Sequence, residues 1–152
     1  MQRERIAEAK LFAGLTAAQL ERLLAISSEV TYLPSEVIIA AAEPGAHIYF
    51  IMHGRVVVEL EASRLQQVTP DNLELAILRD GDVFGEISFL EKKPRTARIT
   101  AIDEVKVLRI PNLELDKIFE EDGRLGYLVM RNLATILSQR LLSIGFRLRD
   151  NF

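Results

Sequence analysis

The sequence holds 152 residues, 49% hydrophobic, with no Cys and no Trp. That size suits one domain with one sizeable core and leaves no room in it for a second folded unit or a large multidomain enzyme. Its 19 Lys and Arg against 22 Asp and Glu give a net charge of −3, so no overall cationic field draws a nucleic acid or an anionic membrane, and a bound anion must be met locally.

The longest apolar run, the six residues from Val37 to Ala42, is far too short for a membrane-spanning helix. Arg3, Glu4, Arg5, Glu8 and Lys10 break up any export signal, so the expected location is the cytoplasm. Without Cys there are no disulfides, no thiolate nucleophiles and none of the common zinc ligand sets.

From Leu15 to Ile26 the apolar spacing predicts a short amphipathic helix with Thr16 as its N-cap. From Val30 to Leu108 the texture changes to short runs of Val, Ile, Tyr, Phe and Thr, punctuated by Pro44-Gly45, Gly54, Pro70-Asp71-Asn72, Asp80-Gly81 and Gly85. Strands are expected at Val30 to Leu33, Val37 to Ala41, His47 to Met52, Arg55 to Leu60, Leu73 to Leu78, Ala97 to Ala101 and Val105 to Ile110. They alternate only weakly in polarity, as strands covered on both faces do. The polar stretch between Glu61 and Glu74 is expected to be a hairpin extension or mobile loop.

Beyond Pro111 the pattern is helical again. Asn112 is expected to cap a short helix from Leu113 to Phe119, and Asp122-Gly123 to precede a long one ending near Asp150. In the long helix Met130, Ala134, Leu137, Leu141, Ile144 and Leu148 form a heptad seam, which suggests a parallel pair with a second copy; the plainer alternative is a helix lying on its own barrel. The fold class is therefore mainly β with flanking helices, a single domain over 1–152. An antiparallel β-roll of jelly-roll or double-stranded β-helix type spans 30–110, with a helical part at 1–29 and two C-terminal helices in 111–152.

One segment interrupts the strands: Phe84-Gly85-Glu86-Ile87-Ser88-Phe89-Leu90, followed by Pro94-Arg95-Thr96-Ala97. A glycine opening a short helical stretch aims free N–H groups, here those of Ile87 and Ser88, at one spot suited to phosphate. Arg95 can grip the same anion with two charge-assisted bonds, and Thr96 adds a hydroxyl. An ionised Glu86 nearby repels a bare phosphate, so the ligand must offer hydroxyl donors close to its anionic group, as a nucleotide sugar does.

These residues resemble the phosphate-binding cassette, at 84–97, of the cyclic nucleotide-binding domain family. Tyr32-Leu33-Pro34, Glu36-Val37-Ile38 and Glu43-Pro44-Gly45 through Tyr49-Phe50-Ile51 to Gly54 resemble that family's early strands and turns. The resemblance implies that Glu86 accepts the ribose 2′-hydroxyl and that Arg95 with the Ile87 and Ser88 amides holds the cyclic phosphate. It places Gly85 and Ala97 in the cassette and Val58, Ala76 and Leu78 around the base, where they serve equally well as barrel core. Thr96 resembles a residue that also contacts guanine, which adds cGMP as a second ligand beside cAMP, the favoured one.

Arg140-Leu141, Ile144-Gly145 and Arg147 resemble the base-capping helix of cyclic nucleotide-gated channel domains, which implies Arg140 and Ile144 over the purine. Gly145 inside a helix costs about 1 kcal/mol relative to Ala and marks a bend or a loose end. The reading is of a stand-alone binding domain that moves its C-terminal helix on binding cAMP or cGMP and signals to an unidentified protein partner, with no catalytic residues, no metal and no resident cofactor. A degenerate dimer scaffold of the same fold is one rival. Another is a metal-dependent enzyme of the cupin type, for which His47 and His53 lack a third ligand at a convincing spacing. Arg124, Arg131, Arg140, Arg147 and Arg149 point in several directions without a second recognition helix, so DNA binding is not expected.

Overall fold

The computed structural model describes residues 2–40, 45–60, 73–91 and 97–150. The chain begins with α1 (Gln2–Ala7), a 3-10 helix (Lys10–Phe12) and α2 (Ala17–Ile26). Thr16 caps α2 as expected, within a capping box: its hydroxyl accepts from the Gln19 amide while the Gln19 side chain accepts from the Thr16 amide. The first two helical pieces fall within the helical part expected at 1–29, but no clear apolar periodicity in the sequence marks their separate bounds; Ile6, Leu11 and Phe12 are buried against later elements.

Among the described residues eight strands follow: β1 (Ser28–Tyr32), β2 (Val37–Ile39), β3 (His47–His53), β4 (Val56–Leu60), β5 (Leu73–Leu78), β6 (Val83–Phe84), β7 (Arg98–Ala101) and β8 (Val105–Pro111). They form two four-stranded antiparallel sheets, ordered β1-β8-β3-β6 and β2-β7-β4-β5. The expected roll is present, with boundaries shifted by one to two residues. It opens at Ser28, and β3 runs to His53, which the sequence placed in the turn; the β3–β8 register shifts between Ile51 and His53. β6 escaped sequence reading because its two residues are a strand only through pairing with Tyr49 and Phe50. β4 and β5 are antiparallel neighbours joined by 61–72, which lie outside the described residues, while Glu74, expected at the end of the polar stretch, pairs with Glu59 inside β5.

The weak alternation has a physical cause, because β3 and β8 each separate two cores. Ile48 and Phe50 of β3 and Leu108 and Ile110 of β8 face the helices, packing with Leu11, Phe12 and Leu23. Tyr49 and Ile51 of β3 and Val105 and Val107 of β8 face the interior of the roll with Val56, Phe84 and Ile99.

The remaining helices among the described residues are α3 (Glu86–Glu91), between β6 and β7, then α4 (Asn112–Glu121) and α5 (Gly123–Asp150). Asn112 is the first residue of α4 rather than its cap. Pro111 takes the cap position without a side-chain bond, because β8 extends to it and its fixed φ of −71° leads directly into the helix. Asp122 does cap α5, its Oδ1 accepting from the Leu125 amide at 3.1 Å. On α5 the buried stripe is Leu125, Leu128, Val129, Leu133 and Ile136. Of the expected seam, Met130 and Leu137 are partly buried against this core and Ala134 is exposed, so the helix lies on its own barrel over that length. Asn132 ties α5 to the N-terminal segment by donating to the Leu11 and Ala13 carbonyls at 2.9 Å each. The helix continues through Gly145.

Candidate functional site

At the end of β6 the backbone turns at Gly85, whose φ of +83° is left-handed and open to glycine at little cost, and enters α3 at once. Glu86 is thereby the first residue of α3, where a carboxylate is favoured by the helix N-terminus. It is 6% exposed, the one buried charged residue among those described. Phe84, just before it, stacks on Tyr49 with ring centroids 4.8 Å apart and planes 4° from parallel, which fixes the start of the turn.

Beside this turn lies a cavity of about 360 Å³. Its floor is the inner face of the second sheet, where pairing sets Ile39 beside Ile99, Ile99 beside Val58 and Val58 beside Ala76 in one row, with Leu78 next along. One wall is Phe84, Gly85, Glu86 and Ile87, with Ala97 near its end; Leu75 stands at the rim and Leu137, Arg140 and Leu141 of α5 complete the enclosure. Arg140 reaches across from α5: its Nη1 lies 3.3 Å from Glu86 Oε1, and its Nη2 donates to the Val83 carbonyl at 2.5 Å. Both charged side chains are withdrawn from solvent, the glutamate at 9% and the arginine at 21% exposure.

The structure thus gathers Gly85, Glu86, Ile87, Ala97, Val58, Ala76, Leu78 and Arg140 around one cavity. Ser88 is the third residue of α3; its side chain and that of Ile144 are outside the described residues, as are Arg95 and Thr96 entirely. Sequence reasoning missed Ile39, Ile99, Leu75 and Leu137 as cavity residues, and quoted Phe84 and Leu141 only within the matching motifs, without a role in the site. The first two are detectable only once the register across β2, β7 and β4 is known, whereas Leu137 stands three residues before Arg140 and four before Leu141, spacings that a helical projection puts on one face.

Neither histidine enters this site. His47 leans on Tyr49 with centroids 6.2 Å apart, and His53 Nδ1 lies 3.5 Å from Asp80 Oδ2 at the surface. Among the described residues no group of three His, Asp or Glu side chains is placed to hold a metal ion, and no helix is long and apolar enough to cross a membrane.

A mostly apolar cavity with a buried carboxylate at one end, next to a glycine turn into a helix, suits a ligand with a flat apolar body and hydroxyl donors. Comparison with known proteins agrees. The chain is 32% identical over 137 residues to Glutaminase 1 of Bradyrhizobium diazoefficiens, covering 90% of this chain and 21% of that protein. It is 28% identical over 149 residues to the CRP-like cAMP-activated global transcriptional regulator of Mycobacterium tuberculosis, covering 97% and 62%. The chain therefore spans less than two thirds of the length of these relatives.

Two solved structures share the fold. A cyclic nucleotide-binding domain from Methylobacillus flagellatus superposes with a TM-score of 0.83 at 19% identity, over 98% of this chain and 81% of that one. The Thermus thermophilus Catabolite Activator Protein does so with a TM-score of 0.73 at 23% identity, over 93% and 62%. The sequence profile described as "Cyclic nucleotide-binding domain" matches residues 29–122. The chain belongs to the cyclic nucleotide-binding domain family.

Proposed function

We propose that this domain is a cyclic nucleotide receptor, for cAMP first and cGMP second, and that it works by binding rather than by catalysis. The observation that carries the proposal is the buried Glu86 at the end of an apolar cavity roofed by α5. A sugar hydroxyl satisfies the carboxylate, the purine fills the space over Val58, Ala76 and Leu78, and the cyclic phosphate meets the Ile87 and Ser88 amides with Arg95. The cassette resemblance assigns the Thr96 hydroxyl to the same ligand. Relatives are named for such ligands: the mycobacterial regulator is cAMP-activated, and a cGMP-dependent protein kinase of Eimeria tenella is 28% identical over 131 residues.

The proposed output is α5. Leu137, Arg140 and Leu141 line the cavity, so a ligand that contacts them favours the arrangement in which this part of the helix is docked. Through Asn132 and the Lys10–Gln139 hydrogen bond of 2.9 Å, a shift of α5 carries the N-terminal segment with it. Leu141 and Leu142 are 71% and 60% exposed, which supports self-association of α5 into a homodimer that presents the signal to a protein partner.

Calorimetric titration of cAMP and cGMP into the wild type and Arg95→Ala tests the proposal, with divalent metal added in a parallel run. A charge-assisted contact contributes about 1.5–3 kcal/mol, so the arginine variant should bind roughly 10- to 150-fold more weakly. Heat from neither nucleotide would leave only a scaffold role, and metal-dependent turnover would make the domain an enzyme.

A further inference from the structure

Sequence reasoning gave Arg140 to the purine, but in the structure both ends of its guanidinium are already engaged, one by Glu86 and the other by the Val83 carbonyl. We infer that Arg140 is the positioning residue of Glu86, and that the site's preference for a free 2′-hydroxyl is therefore set from α5. This rests on the nucleotide reading of the cavity.

A carboxylate as buried as Glu86 is costly unless paired, and Arg140 supplies the pairing. The second bond, to Val83, holds the guanidinium plane, so the charge sits at a fixed place rather than on a swinging side chain. An ionised carboxylate has about four acceptor positions, enough to take the guanidinium and a sugar hydroxyl together. The pair also cancels locally the negative charge that would otherwise repel the nucleotide phosphate.

To stack over a base, Arg140 would have to release both bonds. Apolar cover for the base is already available from Leu137 and Leu141 on the same helix. The orientation of the sugar acceptor and the docking of α5 are then a single event. A nucleotide without the 2′-hydroxyl forgoes the contact that Arg140 prepares.

The test compares cAMP with 2′-deoxy-cAMP in the wild type, Arg140→Gln and Arg140→Lys. The wild type should prefer cAMP by about tenfold or more, the size of a hydrogen bond to a charged group. Arg140→Gln should weaken cAMP and bring the two ligands within about threefold of each other, with partial recovery of the ratio in Arg140→Lys, which keeps a charge without the fixed fork. A base-capping arginine instead lowers both affinities alike and leaves the ratio intact; that result overturns the inference.

Amide exchange across Leu137 to Ser143, measured without added nucleotide, reads the same pairing independently. Arg140→Gln and Glu86→Gln should each speed exchange, and the double variant should exchange no faster than the faster single one. Independent, multiplying effects overturn the inference. If neither nucleotide binds the wild type, the receptor reading fails while the exchange data still decide the pairing.

Discussion

The two halves of α5 have different duties, and paired leucine truncations separate them. Leu133 is 2% exposed in the core that joins α5 to the 3-10 helix, α4 and the outer face of the first sheet. Replacing such a leucine with alanine loses its transfer free energy and leaves a cavity, together about 3 kcal/mol and up to about 5. For a domain of this size about 3 kcal/mol lowers Tm by roughly 6–12 °C. Leu141 is 71% exposed, so less than a third of its surface is covered. With full burial of a leucine contributing about 1.5–3 kcal/mol, Leu141→Ala should cost less than about 1 kcal/mol of stability. Because Leu141 lines the cavity, that variant should nevertheless bind cyclic nucleotide several-fold more weakly, once its unfolding curve shows a native fold. Urea unfolding, followed by calorimetric titration of the folded variants, measures both quantities. The reasoning is refuted if Leu133→Ala unfolds within 1 kcal/mol of the wild type, or if Leu141→Ala is as destabilised as Leu133→Ala.

Gly54 and Gly81 both have positive φ, at +107° and +87°, but only Gly54 has backbone close by: a Cβ there meets the Glu104 carbonyl at 2.7 Å and the Val105 Cα at 2.9 Å. Gly54→Ala should therefore cost about 1–2 kcal/mol more than Gly81→Ala, which bears only the conformational term; equal losses in urea unfolding would contradict this. Arg55 donates from Nε and Nη2 to the Asp103 carboxylate at 2.8 and 3.0 Å, holding that carboxyl below its ordinary value of 3.8. Because the folded value is the lower one, the small stability this exposed pair gives is present above about pH 3.8 and lost as the pH falls through the folded value; the difference between wild type and Asp103→Asn should vanish at the acid end of a pH series of unfolding curves. If α5 pairs two copies, Leu141→Glu should yield monomers by light scattering at concentrations where the wild type is dimeric, and an unchanged mass would exclude the exposed leucines from the interface.

Much of the fold is written locally. Leu73–Leu78 begins and ends as its residue pattern says, and α5 starts after the Asp122 cap and reaches Asp150 as its helical spacing says. What escaped depends on neighbours distant in the chain. Val83 and Phe84 are strand because Phe50 and Tyr49 lie opposite them, and Ile6 is core because the N-terminal helix folds back onto the barrel. The heptad seam reads correctly as apolar spacing, yet its Leu137 is claimed by this chain's own core and cavity; spacing alone does not say which surface an apolar stripe meets.

The same division holds at the site. Gly85 and Glu86 are legible because a turn into a helix and its first carboxylate are neighbours in sequence. The partnership of Arg140 with Glu86, 54 residues apart, follows from where α5 comes to rest, which no local pattern encodes.

A crystal structure with cAMP soaked into the protein puts the receptor account to its most direct test. The account predicts the purine between Leu137 of α5 and the row Ile99, Val58 and Ala76, the ribose 2′-oxygen within hydrogen-bond distance of the Glu86 carboxylate, and the cyclic phosphate on the Ile87 and Ser88 amides beside Arg95. Nucleotide bound elsewhere, or a cavity filled by the protein's own side chains at saturating ligand, would contradict it.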